Sequence, residues 1–184
     1  MDKHIFKKSN ILNSDECQHF IDLIENAPKS HKQFDKFRGY LTLTKMDFNT
    51  KQWNDMYEIM NNCMDEYVSL HPFLNVMGVE WGIDSPPNIQ KYFPGNFYKA
   101  EHCEHGITGG QQLLGLRRVI AWMIYLNTIK NGGGTRWPQQ NFISTPKEGD
   151  LYIWPAGWTH SHHGMIAPYE TKYIITGWCS FVVK

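Results

Sequence analysis

The string His102-Cys103-Glu104-His105 puts an imidazole and a carboxylate two positions apart. On a β-strand alternate side chains share a face, so His102 and Glu104 point the same way and Cys103 points to the other. On a helix the same two positions lie roughly 200° apart and cannot share a metal ion. A shared ion therefore requires extended chain at this point. One imidazole and one carboxylate leave a facial triad a ligand short, and His160-Ser161-His162-His163 can supply it. By alternation His160 and His162 share a face while His163 faces away, so two candidates stand for the third ligand. Two imidazoles and a carboxylate leave three open positions on an octahedral ion. That suits Fe(II), which then binds a bidentate small molecule and dioxygen. Zinc favours a closed, near-tetrahedral set richer in Cys or His.

Lys172 adds a fourth element. It opens the apolar stretch Lys172-Tyr173-Ile174-Ile175-Thr176-Gly177-Trp178. A charge at the edge of a buried strand needs an anionic partner, and a dicarboxylate bound near the metal would be one. Each piece alone has a plainer reading. An HxE triplet arises often by chance, a His cluster can be a polar loop, and a strand-end lysine can snorkel to water. Their occurrence in order and in strand-like contexts is what points to metal chemistry.

Those residues need a scaffold. The 184 residues suit one domain, with helical support over about 1–75 and a β core over about 76–184. From Asp15 to Asn26 the residues Cys17, Phe20, Ile21 and Ile24 fall on one helical face, with Ser14 as the expected N-cap and Pro28 beyond the end. From Lys51 to Leu70 a second stripe runs through Trp53, Met56, Tyr57, Met60, Cys63, Met64 and Tyr67, with Asn49 or Thr50 as cap and Pro72 as stop. Short apolar stretches separated by Gly, Pro and Asn follow. Strands are expected at Asn88–Tyr92, Phe97–Glu104, Arg118–Asn127, Gln140–Ser144, Asp150–Trp154, Thr159–His162 and Lys172–Val183. Arg118–Asn127 is apolar on both faces, as in a strand between two layers. Helices followed by many short strands imply a sandwich or barrel with the helices outside. The Asn131–Gly134 turn precedes no helix and no Lys-Ser/Thr, so it does not cradle phosphate. Ile107–Gln112, with Gly109-Gly110, is a candidate lid.

Eighteen basic residues balance eighteen acidic ones, which removes the electrostatic case for a nucleic-acid or membrane-surface partner. The N-terminus has no apolar signal region and no run is long enough to span a bilayer. Cys17, Cys63, Cys103 and Cys179 are scattered. A soluble intracellular chain with reduced thiols is the expectation.

From about Ile89 to Trp178 the chain resembles the iron- and 2-oxoglutarate-dependent dioxygenases of the prolyl 4-hydroxylase type. The resemblance is carried by Tyr92-Phe93-Pro94-Gly95-Asn96-Phe97-Tyr98 leading to His102-Cys103-Glu104, by Arg118 leading to Tyr125-Leu126-Asn127, and by Gly133-Gly134-Thr135-Arg136-Trp137. It continues through Pro146-Lys147-Glu148-Gly149-Asp150, Trp154-Pro155-Ala156, and His162 followed ten positions later by Lys172. That interval is typical of the family and favours His162 over His160. The resemblance implies an α+β, mainly β fold: a double-stranded β-helix (jelly roll, cupin-like) with buttressing N-terminal helices. It implies Fe(II) on His102, Glu104 and His162, with 2-oxoglutarate and O2 as cosubstrates and ascorbate as reductant. The distal 2-oxoglutarate carboxylate would pair with Lys172 and Tyr92, and Tyr125 and Thr135 would line the same pocket. Arg118 would contact peptide substrate or pair an acid at the barrel rim. Trp122, Trp154, Trp158 and Trp178 read as core, while Trp137 and Trp158, near turns, are also candidate substrate walls. Two departures stand out. The usual carboxylate ligand is Asp where this chain has Glu104, and the stretch from Gly95 to His102 is one residue longer than the common pattern. The implied reaction is hydroxylation of a C–H bond, of peptidyl proline first, with release of succinate and CO2. A different peptide or amino-acid substrate is the alternative, and a cupin-like metal-binding module without oxygenase activity is another.

Overall fold

The apolar run that begins at Arg118 forms the middle of the main sheet, with strands on both sides and packed layers on both faces. The computed structural model describes residues 3–28, 33–34, 39–42, 50–83, 86–105 and 115–182, the side chains of 33–34, 39–42 and 50–54 excepted. Eleven strands and two helices follow in the order β1 (Phe6–Lys8), α1 (Ser14–Asn26), β2 (Gln33–Phe34), β3 (Gly39–Thr42), α2 (Thr50–Leu70), β4 (Trp81–Ile83), β5 (Asn88–Tyr92), β6 (Arg118–Tyr125), β7 (Thr135–Trp137), β8 (Phe142–Ile143), β9 (Leu151–Pro155), β10 (His163–Gly164) and β11 (Lys172–Phe181), with 3-10 turns at Pro72–Asn75 and Trp158–His160. The main sheet runs β1-β9-β6-β11-β5-β3-β2, with β4 also paired to β11, and the smaller sheet runs β10-β7-β8. Every pairing is antiparallel.

Alternation along the strands sorts side chains into two layers. Ile120, Trp122 and Ile124 of β6, Leu151 and Ile153 of β9, and Ile175 and Cys179 of β11 meet Phe20 and Ile24 of α1 and Met56, Met60 and Tyr67 of α2. The intervening residues Ala121, Met123, Tyr125, Tyr152, Trp154 and Ile174 meet Trp137 of the small sheet. The helices thus buttress the outer face of the main sheet, and the two sheets close on an aromatic interior. This is the expected double-stranded β-helix.

Several local expectations shift. Asn13, not Ser14, caps α1. Its side chain accepts from Glu16 N at 3.0 Å, and Glu16 Oε2 accepts from Asn13 N at 2.7 Å, a reciprocal capping box. Ser14 Oγ instead donates to Glu148 at 2.6 Å. Gln140–Ser144 narrows to β8. Thr159–His162 is not a strand, because its first part coils into a 3-10 turn. Phe97–Glu104 forms only an isolated bridge, His102 opposite His162. α2 begins at Thr50; its side chain, the other proposed cap Asn49 and the Ile107–Gln112 lid lie outside what is described. Among the described residues no helix is long and apolar enough to cross a membrane. The four cysteines are free thiols, three of them buried.

Candidate metal centre

The chain from Gly95 to His102 runs antiparallel to the chain from His162 to Ala167, tied at intervals rather than continuously. Gly95 N donates to Ala167 O, Gly164 N to Tyr98 O, and His102 and His162 exchange both main-chain bonds at 3.0 and 2.8 Å. Between the last two ties one side advances from Tyr98 to His102 while the other retreats only from Gly164 to His162. The surplus bulges outward at the exposed residues Lys99, Ala100 and Glu101. The bulge has a use: the Ala100 carbonyl lies 3.0 Å from His102 Nδ1. On the facing chain His162 Nδ1 lies 2.9 Å from the His160 carbonyl. A carbonyl only accepts, so both Nδ1 atoms carry the proton and both Nε2 atoms present a lone pair. Each candidate ligand histidine is oriented by the carbonyl two residues before it.

Glu104 meets them from a turn beyond the bridge, its main-chain N–H donating to Ala156 O at 3.0 Å. Its Oε1 lies 3.3 Å from His162 Nε2 and 3.9 Å from His102 Nε2. One donor atom from each of the three residues lies within 4.8 Å of the others, a span one ion bridges. The far oxygen Oε2 is held by Trp178 Nε1 at 2.7 Å and by Arg118 at 3.4 Å, with the guanidinium 3.8 Å above the Trp178 ring. Burial acts to raise the Glu104 pKa, but the hydrogen bond and charge of His162 and the charge of His102, present when the imidazoles are protonated in the metal-free protein, outweigh it together with the Trp178 indole and bring the group to about 2. The carboxylate is therefore ionised at neutral pH, its far oxygen held by donors and its near oxygen facing the two imidazole nitrogens. A cation with three open coordination positions fits this oxygen and nitrogen set.

On the inner faces of the same strands a second polar group is enclosed. Lys172, 3% exposed, opens β11 opposite Tyr92 of β5. Its Nζ donates to Gly133 O at 3.0 Å and lies 4.6 Å from the Tyr92 ring centroid. Gly133 has φ +70°, with the Ile129 side chain packed against it, so this turn favours glycine. Tyr92 donates to Gln90 Oε1 at 2.7 Å. Tyr125 is bonded to Ser144 Oγ at 2.7 Å and lies 3.4 Å from Thr135 Oγ1. Burial pushes the Tyr125 phenol up, keeping it a neutral hydroxyl. Tyr92, Tyr125, Thr135 and Lys172 are all buried.

The structure separates residues that the sequence left together. His160 lies off the metal face: its Nε2 meets the Lys3 carbonyl and its Nδ1 the Thr159 hydroxyl. Arg118 pairs an acid, and that acid is Glu104 itself. Trp137 has no exposed surface to offer a substrate. It packs on Trp154, Tyr152 and the His162 ring at centroid distances of 5.2, 6.4 and 5.8 Å. Its indole N–H is buried and has no hydrogen-bond partner among the described residues. Trp158, expected in the core, instead stands 73% exposed. Trp178, read as core, is the indole that holds Glu104. Alternation from Lys172 through Ile174 and Thr176 places it on the inner face, so the signal for it was present in the sequence.

The two-sheet fold, with a His-Glu-His cluster that could hold a metal ion and an enclosed lysine on the inner face of the main sheet, suits a metal-dependent oxygenase. Residues 87–180 match the family described as the 2OG-Fe(II) oxygenase superfamily, and the chain belongs to that superfamily. Membership brings dioxygenase chemistry with Fe(II), 2-oxoglutarate and O2. No curated protein matches the sequence. Among solved structures, the chain is similar to the viral collagen prolyl hydroxylase of Paramecium bursaria Chlorella virus-1 in its 2OG complex, at 16% identity over 99% of this chain and 97% of that one, with a TM-score of 0.73. It is similar to a Pseudomonas putida prolyl-4-hydroxylase at 15% identity over 98% and 94%, TM-score 0.70. It is also similar to a Trichoplax adhaerens prolyl hydroxylase in complex with a hypoxia inducible factor oxygen degradation domain peptide fragment, at 16% identity over 96% and 83%, TM-score 0.66. At these identities the likeness establishes a shared fold.

Proposed function

We propose that this chain is a peptidyl-prolyl hydroxylase of the 2-oxoglutarate-dependent class. His102, Glu104 and His162 hold Fe(II). Lys172, with Tyr92 beside it and Tyr125 and Thr135 lining the same interior, receives the distal carboxylate of 2-oxoglutarate. When bound, iron and cosubstrate supply the oxidising power that hydroxylates an unactivated C–H bond, with loss of succinate and CO2. The protein's part is orientation and shielding. The Ala100 and His160 carbonyls fix the two imidazoles, Trp178 and Arg118 fix the carboxylate, and the Trp137, Trp154 and Tyr152 layer keeps water from the interior.

The observation that carries the proposal is the enclosed Lys172 on the inner face of the sheet whose strands also position the triad. A metal-binding module without a dicarboxylate cosubstrate gives no reason to enclose an ammonium there. The prolyl part rests on likeness of fold to prolyl hydroxylases over nearly the whole chain, and on the peptide bound to one of them.

One incubation tests both parts. Purified protein receives Fe(II), ascorbate, 2-oxoglutarate and a proline-rich peptide, and succinate and peptide mass are followed. Succinate together with a one-oxygen mass gain localised to proline is expected. Succinate with an unmodified peptide would retain the oxygenase and reject proline as its target. Metal binding with no succinate for any peptide or amino acid would favour the cupin-like module.

A further inference from the structure

His160 holds no ligand position, yet it is 5% exposed and bonded at both ring nitrogens. Nε2 lies 3.0 Å from the main-chain carbonyl of Lys3, and Nδ1 lies 3.0 Å from the Thr159 hydroxyl. Because the carbonyl only accepts, Nε2 carries the proton and Nδ1 accepts from Thr159. The His160 carbonyl in turn accepts from His162 Nδ1 at 2.9 Å. Two hydrogen bonds, joined through residue 160 itself, therefore link the amino-terminal segment to the candidate iron ligand: one holds the His160 ring and the other starts at its main-chain carbonyl.

That segment is itself anchored on several elements. Lys3 Nζ donates to Asn141 O at 3.3 Å and lies 5.5 Å from the Phe142 ring centroid on β8. His4 takes a left-handed backbone, φ 51°, which is uncommon outside glycine. Its carbonyl accepts from the Tyr67 hydroxyl of α2 at 3.1 Å. Its ring lies 4.8 Å from His71 and 6.3 Å from His160. Lys7 pairs with Asp150 at 2.7 Å. Covering the edge of β9 needs only β1, which begins at Phe6. The Lys3–His160 bond lies beyond that pairing and is not required by it.

We propose that residues Lys3–Lys8 form a strap that positions the metal centre: Lys3 fixes His160, and the His160 carbonyl fixes the plane and tautomer of His162. His160 and Lys3 are positioning residues in this scheme. It rests on His162 as a metal ligand and is independent of the substrate.

Two variants and a conservative control test it. Deleting residues 1–4 removes the Lys3 carbonyl while leaving β1 and the Lys7–Asp150 pair. His160→Phe keeps a ring without the N–H, whereas His160→Gln keeps an amide N–H that can reach the same carbonyl. Each is measured for Co(II) affinity, for the visible spectrum of the Co(II) form, and for the 15N signature of the His162 ring in metal-free protein. Cooperative thermal unfolding confirms the fold. The deletion and His160→Phe should bind Co(II) about tenfold more weakly, the lower end of the range for groups behind a ligand, and show mixed His162 tautomers. His160→Gln should stay near wild type. If His160→Phe does not fold, the deletion carries the test alone. Wild-type Co(II) affinity and a single Nδ1–H tautomer in the deletion variant would overturn the proposal, as would a His160→Gln defect equal to that of His160→Phe. Undiminished Co(II) binding by His162→Ala would overturn the ligand assignment and the strap with it.

Discussion

Lys172→Met separates a lysine kept for a cosubstrate from one kept for the fold, because the two roles predict losses in different measurements. In the apo protein the change removes the charge-assisted bond from Nζ to Gly133 O at 3.0 Å, worth about 1.5–3 kcal/mol. It also ends the cost of holding an ammonium at 3% exposure, a penalty of several kcal/mol before compensation. Methionine is close in length and fills the same space, so packing changes little. The two terms oppose, and apo stability should move by no more than about 1.5 kcal/mol in either direction. Cosubstrate binding has no such offset. A distal carboxylate entering the pocket would be buried without its cation, at a cost of about 3–5 kcal/mol. At tenfold per 1.4 kcal/mol this is a loss of roughly a hundred- to several-thousand-fold in affinity. Calorimetric titration of 2-oxoglutarate into Mn(II)-loaded protein reads the loss. The control ligand is 2-oxopentanoate, which keeps the metal-chelating end and lacks the distal carboxylate, and its affinity should be the same in both proteins. Equal weakening of both acids would show that Lys172 supports the pocket's shape rather than the carboxylate. Unchanged 2-oxoglutarate affinity with a large fall in stability would show a structural lysine and refute the reasoning.

Three further outcomes follow from the geometry. Trp178→Phe keeps the ring but removes the 2.7 Å bond to Glu104 Oε2, and should weaken Fe(II) or Co(II) binding about 10- to 100-fold while leaving the urea midpoint close to wild type. Gly177→Ala should destabilise by about 1–3 kcal/mol in urea unfolding, because a Cβ at Gly177 would overlap the buried indole of Trp122. Its metal affinity should hold. In metal-free protein the carboxyl of Glu104 is depressed to about 2. Its ionisation therefore stabilises the fold fully above the ordinary carboxylate range near 4.5 and progressively less as pH falls through about 2. The stability gap between wild type and Glu104→Gln should be constant at neutral pH and shrink across that acid window. A gap that grew on acidification would contradict the donor set assigned to Glu104.

The legible parts of the fold were those whose partners lie on both sides in the sheet. The β5 bounds, the start of β6 and the start of β11 coincide with their apolar stretches, since burial on two faces leaves an uninterrupted signal. The strap was invisible for the opposite reason. Phe6-Lys7-Lys8 is three residues long, two of them charged, and becomes a strand only because β9 offers it an edge. No local periodicity records that contact. The small sheet is hidden similarly, with β8 and β10 two residues each.

The site shows a finer division between what alternation can and cannot determine. Alternation put His102 and Glu104 on one face and was right about their convergence, yet neither sits in a regular strand. His102 is held by a single bridge, and Glu104 by a turn tied to Ala156. The longer side chain of Glu, where the family commonly has Asp, reaches the imidazoles from that turn, and its far oxygen is claimed by Trp178 and Arg118. The extended Gly95–His102 stretch and the Glu at position 104 are thus two visible oddities of sequence with local uses. The surplus supplies the Ala100 carbonyl that sets the His102 tautomer, and the extra methylene brings a carboxylate from a turn. Alternation failed between His160 and His162 because it assumes a strand, and a 3-10 turn rotates His160 out of the metal face toward Lys3. What resolves the pair physically is the hydrogen bonding of the other ring nitrogen. Both nitrogens of His160 are committed to protein groups, whereas His162 commits Nδ1 to a carbonyl and leaves Nε2 facing Glu104. A ligand histidine is recognised by the nitrogen it has left to give.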